Sequence, residues 1–164
     1  MPDTSTELAI ASQTLGSAAS TITFSSIPST YTDLRVVFTG SGTSGFYAMR
    51  FNGNSSSFYS VTFLVGNGSA AESGNNSSNP YFYLGYNDAL SSNMCMYTHD
   101  IFSYAGSTFK TMLTTESYDK NGSGEVNRTV GLWRSTAAVT SITIMNTAGT
   151  DFLTGSTATL YGIL

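Results

Sequence analysis

The last ten residues, Gly155-Ser-Thr-Ala-Thr-Leu-Tyr-Gly-Ile-Leu164, alternate small polar with apolar side chains. A period of two puts successive side chains on opposite faces of a pleated ribbon, so the segment reads as a half-buried β-strand. No polar tail follows it, and a strand of this kind is expected to hold the C-terminus in the core. The same alternation recurs along the chain. It predicts strands over residues 7–12, 21–24, 32–39, 46–51, 60–65, 81–86, 94–104, 110–118, 125–134, 139–145 and 157–164. Between them stand Asn52-Gly53, Asn67-Gly68 and Asn121-Gly122, which supply the positive φ angles of tight turns. Many short strands with dense turn signals predict an all-β fold, an antiparallel β-sandwich of jelly-roll-like form with about ten short strands.

Composition supports that reading. Ser and Thr make up roughly 30% of the residues, well above ordinary usage. Ten tyrosines and ten phenylalanines suit a pleated surface, and 16 glycines suit the connections. Glu, Lys, Gln and Arg are scarce, which disfavours a long exposed helix. At 164 residues one domain is expected, residues 8–164, preceded by a flexible polar arm over residues 1–7. The stretch 66–80 is small and polar throughout and reads as a long irregular loop, functional or mobile.

Alternation also assigns faces. Leu34, Val36 and Phe38 share one face, Ile142 and Ile144 another, and Ala158 and Leu160 oppose Thr159 and Tyr161. Val126, Val130 and Leu132 read as an inward set, with Arg128 the odd member. Bulk on both faces of the last strand predicts a second cover there, such as another subunit.

Several classes of function are disfavoured. The net charge is −4, and six basic residues are scattered as Arg35, Arg50, Lys110, Lys120, Arg128 and Arg134. Nucleic-acid binding needs clustered cations, so none is expected. The one cysteine, Cys95, forms no intrachain disulfide, which fits folding in a reducing cytoplasm. No apolar run reaches 18 residues, so no membrane helix is expected. The first ten residues lack a basic and apolar leader, so no secretory signal is expected, and any route out of a cell is another one, such as lysis.

The residues that might carry chemistry are few. His99 is followed by Asp100 on a predicted strand, so the two side chains point to opposite faces and form no pair. No nucleophile elbow, phosphate loop or paired histidine ligands occur. Asp119, Asn121, Ser123 and Glu125 recur at every second position, but the distal bidentate carboxylate of a calcium loop is missing, and a hairpin turn explains them. Cys95 between Met94 and Met96 reads as strand packing. No enzymatic activity, cofactor or metal is expected. Tyr81-Phe-Tyr-Leu-Gly-Tyr86 puts Tyr81 and Tyr83 on one face and Phe82, Leu84 and Tyr86 on the other. Such a tyrosine row serves as core, as subunit contact or as a platform for sugar rings.

Some segments resemble a known group. They are Gln13-Thr-Leu-Gly-Ser-Ala-Ala-Ser-Thr-Ile-Thr-Phe-Ser-Ser-Ile-Pro28, Ser29-Thr-Tyr-Thr-Asp-Leu-Arg-Val-Val-Phe38, Met49-Arg-Phe-Asn-Gly53, Tyr59-Ser60, Tyr104-Ala105 before Phe109-Lys-Thr111, Trp133 before Ile142-Thr-Ile144, and the ending Leu160-Tyr-Gly-Ile163. In this order they resemble small β-sandwich structural proteins of tailed-bacteriophage virions. The resemblance implies a virion location and a non-enzymatic role as a capsid decoration, or cement, protein. It implies a homotrimer that binds the major capsid protein, with Pro28 starting a strand, Asp33 anchoring a turn and Tyr161 packing at an interface. The expected contact residues are Tyr81, Tyr83, Tyr161 and Leu164. The alternative is a tail-fibre or spike module that binds a receptor or host-surface glycan.

Overall fold

Asn52 shows how the alternating segments are fastened into a fold. It sits in a left-handed turn with φ of 53°, and its Oδ1 accepts the backbone N–H of Thr140 and Ser141 at 2.8 and 3.1 Å. Its Nδ2 donates to the Ala138 carbonyl at 2.7 Å, so one side chain ties two distant turns. The computed structural model describes residues 6–84, 93–119 and 121–164. Among them twelve strands form: β1 (Glu7–Thr14), β2 (Thr21–Phe24), β3 (Asp33–Gly40), β4 (Tyr47–Phe51), β5 (Tyr59–Gly66), β6 (Ala71–Asn79), β7 (Phe82–Tyr83), β8 (Cys95–Phe102), β9 (Lys110–Tyr118), β10 (Glu125–Trp133), β11 (Ile142–Asn146) and β12 (Thr157–Ile163). The fold class is an antiparallel β-sandwich. One sheet has eight strands in the order β1-β12-β3-β8-β9-β10-β5-β6, and the other has four in the order β2-β11-β4-β7.

The inner faces of the two sheets bury one hydrophobic cluster. Leu34, Val36 and Phe38 from β3, Ile142 and Ile144 from β11, and Ala158 and Leu160 from β12 all point into it. β12 pairs with both β1 and β3, so the C-terminal strand is internal to its sheet.

Four expectations are corrected. The stretch 66–80 is not a long loop, because β6 occupies most of it and pairs with β5 at the sheet edge. A polar edge strand needs only ladder hydrogen bonds on one side, so its Ser and Asn side chains give no apolar alternation to read. Gly74 lies over the Phe63 ring, where a Cβ would come within 2.6 Å. In β10 the inward face is Asn127, Thr129, Gly131 and Trp133, and Val126, Val130 and Leu132 point outward with Arg128. Gly131 turns inward because the Phe82 ring fills the space a Cβ would occupy, at 2.6 Å. Glu7 belongs to β1 rather than to an arm, and Thr6 accepts the Leu164 N–H at 3.0 Å. The arm's residues 1–5, and Gly85, Tyr86 and Lys120, lie outside the described residues. Pro28 starts no strand. It lies in the connection between β2 and β3, where its carbonyl accepts the Tyr104 hydroxyl. Asp33 does anchor a turn, accepting the Ser103 N–H at 2.6 Å.

Candidate functional site

The eight-stranded sheet carries a broad outer face, and its composition follows from strand register. One row of side chains crosses seven strands as Thr62, Val130, Leu113, Asp100, Arg35, Tyr161 and Ala9. The row beside Val126 runs through Ser117, Met96, Thr39 and Thr157. Val126 is 61% exposed, Leu64 56%, Met96 46%, Val130 45% and Phe102 41%. Apolar and Thr side chains thus stand in solvent together on this face.

Charge on this face is largely paired internally. Arg35 Nε donates to Asp100 Oδ1 at 2.7 Å, and Nη1 lies 3.3 Å from Glu7 Oε2. The hydrogen bond to Asp100, with the attraction of both carboxylates, raises the Arg35 pKa against the cost of burial. The three residues border a depression of about 280 Å³ that also meets Thr6, Asp33 and Phe102. At the other side, Arg128 donates to Thr115 Oγ1, and an open, apolar dip of about 240 Å³ lies among Leu64, Val65, Ala71 and Val126.

The expected contact residues divide between the two faces. Tyr161 is half-buried on the large sheet, opposite Arg35 and Ala9. Leu164 is 60% exposed just past β12. Tyr81 and Tyr83 lie across the molecule at the β7 edge of the small sheet, with ring centroids 6.4 Å apart. Phe46 adds a third ring, 5.2 Å from Tyr83, and Arg50 beside them donates to the Pro80 carbonyl at 3.1 Å. Partial burial and the neighbouring Tyr81 raise the Tyr83 pKa. The structure therefore brings Tyr81 and Tyr83 together and keeps both apart from Tyr161 and Leu164.

The candidates for chemistry are all placed structurally. Asp119 Oδ1 accepts the Gly122 N–H at 2.9 Å in the β9–β10 hairpin, and Asn121 and Gly122 have φ of 60° and 89°. Among the described residues no group of three or more His, Cys, Asp or Glu stands as a metal set. Cys95 is buried, its Sγ donates to the Gly40 carbonyl at 3.1 Å, and burial pushes its thiol up to about 12. Lys110 is fully buried, its Nζ capping the carbonyls of Gly106 and Thr108 at 2.7 and 2.5 Å, and desolvation lowers its pKa. His99 points inward and Asp100 outward, as the strand reading requires.

Sequence reasoning missed a polar seam inside the sandwich. His99 is fully buried, with Nε2 at 2.9 Å from the Tyr47 hydroxyl and Nδ1 at 2.8 Å from Thr114 Oγ1. The Tyr97 hydroxyl donates to Glu116 Oε1 at 2.5 Å, and Asn127 Nδ2 donates to Oε2 at 3.3 Å. Thr129 completes the chain by donating to Asn127 Oδ1 at 3.0 Å. The available signal was the alternation of β9, which puts Thr114 and Glu116 on the same face as Met112.

The fold and its faces define a two-sheet antiparallel β-sandwich. Comparison with known proteins gives the following. No protein-family model and no curated protein sequence matches the chain. Among solved structures, the galectin LEC-6 of Caenorhabditis elegans is similar, with a TM-score of 0.40 and 10% identity over 91% of this chain and 94% of the galectin.

Proposed function

We propose that this protein is a non-enzymatic structural component of a tailed-phage virion, a decoration protein that binds and braces the capsid shell as a homotrimer. The observation that carries this reading is the outer face of the eight-stranded sheet, where Leu64, Met96, Phe102, Val126 and Val130 are open to solvent among threonines. The sequence resemblance set out above supports the same role. A ligand that binds the intact shell and not its disrupted form stabilises it by mass action. A face this poor in unpaired charge grips by apolar packing and neutral hydrogen bonds, so salt weakens the contact only modestly.

The test uses particles lacking the protein. They are expected to package DNA but to release it at lower temperature or on osmotic shock, and added protein restores resistance at low and moderately high salt. Stoichiometry on a stained gel is expected to be hundreds of copies per particle. Particles that resist heat equally well without it but fail to adsorb to cells overturn the reading.

That outcome would favour the second reading, a tail module that binds a host-surface glycan. The clustered Tyr81, Tyr83 and Phe46 rings beside Arg50 support it, because aromatic faces stack on sugar rings and Arg donates to hydroxyls.

A further inference from the structure

His99 is the buried group that neither a contact face nor a glycan platform uses. Its ring lies in a stack, 5.4 Å from the Tyr47 ring and 6.0 Å from Tyr97, with interplanar angles of 11° and 13°. Tyr47 comes from β4 of the small sheet, and His99 and Thr114 come from β8 and β9 of the large one. Nε2 therefore bridges the sheets through the Tyr47 hydroxyl, while Nδ1 is held by Thr114 of the neighbouring strand in its own sheet. A neutral imidazole fits this setting, one nitrogen donating and the other accepting. An imidazolium would bring a full charge into a site with no water access and no anion in hydrogen-bond contact with the ring.

The groups facing His99 confirm how little could offset that charge. Tyr47 faces it from β4, Val36 from β3, Tyr97 from its own strand, and Thr114 from β9. Glu116, two residues beyond Thr114, is the one carboxylate on this side of β9. Its two oxygens accept from Tyr97 and Asn127. Lys110, at the far end of the same face, caps loop carbonyls.

We propose that the Tyr47–His99–Thr114 bridge is an acid-responsive latch, closing the two sheets only while the imidazole is neutral and letting acid open the sandwich. Burial lowers the His99 pKa from 6.5 to about 3 in the closed form, and an opened form returns it to the ordinary value. The opened form therefore binds more protons below pH 6.5. The closed state keeps its full advantage above that pH and loses it progressively as pH falls toward 3. Each pH unit in this window multiplies the opened population about tenfold.

The experiment is proton NMR with hydrogen exchange on the full chain. The His99 ring resonance is expected not to titrate between pH 7 and 4. After correction for intrinsic exchange, opening at the amides of Ala48, Thr98 and His99 is expected to rise about 50-fold from pH 6.5 to 4.5. His99→Gln, which can keep one hydrogen bond without titrating, is expected to cut that rise to under about threefold. A native ring titrating near its ordinary value overturns the latch, as does flat opening across the window. An unchanged rise in His99→Gln also overturns it and assigns the acid response to carboxylates. If that variant does not fold, the ring titration and wild-type exchange decide. None of these readouts involves a particle, so the latch and the decoration reading fail separately.

Discussion

The core has two halves that share strand β4 and differ in chemistry. At one end Phe51 packs edge-on against Phe82 and Trp133, at 5.2 and 5.6 Å, and Tyr59 stacks on Trp133 at 6.1 Å. At the other end Tyr47 stacks on Tyr97 at 3.9 Å, and both rings lead into the His99–Thr114 and Glu116–Asn127 hydrogen bonds. The aromatic half tolerates an orphan, since Trp133 Nε1 is buried with no hydrogen-bond partner among the described residues. The polar half depends on pairing, because each buried donor or acceptor left alone costs about 1–3 kcal/mol. Packing in the first half is graded and non-directional, whereas satisfaction in the second is all-or-none.

Four substitutions sharpen this contrast, taken from the largest expected effect. Trp133→Ala empties the centre of the aromatic half and is expected to cost about 3–5 kcal/mol by denaturant melting. Its cost should be the same at pH 7 and pH 5, and a strong pH dependence would mean the halves are coupled. Glu116→Ala strands the Tyr97 hydroxyl and the Asn127 amide, with an expected loss of about 2–4 kcal/mol. Pairing it with Tyr97→Phe in a double-mutant cycle should recover part of that loss, and strict additivity would break the seam into independent contacts. Gly131→Ala places a Cβ 2.6 Å from the Phe82 ring. The expected cost is about 1–3 kcal/mol of overpacking, and a neutral result would mean the aromatic half has room to shift.

The smallest effect on stability belongs to the outer face. Leu64→Ser with Val126→Ser is expected to change folding free energy by less than about 0.5 kcal/mol, since both side chains stand in solvent. The same pair should abolish rescue of heat-sensitive particles. Full rescue with unaltered stability would remove this face from the contact.

Strand positions were readable wherever one face is apolar. Thr21–Phe24 and Thr157–Ile163 alternate cleanly, and the structure has both segments as strands. β6 was unreadable because its Ser, Asn and Gly residues lie at an edge and bury little, so it is placed mainly by the ladder to β5. The face of β10 was misread for the converse reason. Val126 and Val130 look like core and Asn127 and Thr129 like surface, until Glu116 supplies a buried partner and Phe82 demands a glycine. The contact residues were half legible. The pairing of Tyr81 with Tyr83 follows from a period of two, but their separation from Tyr161 depends on which sheet each strand joins.

What the chain's own order of residues determined is the class of fold. Period-two alternation, Asn-Gly turns and the shortage of helix formers leave an antiparallel sandwich as the arrangement that buries the apolar face of each alternating strand. What only the tertiary structure decided is which polar groups go inside and which apolar ones stay out. Glu116 is buried and Val126 is exposed, since a buried polar atom is tolerated only when distant strands bring its partner within hydrogen-bond reach, and no local pattern records that meeting.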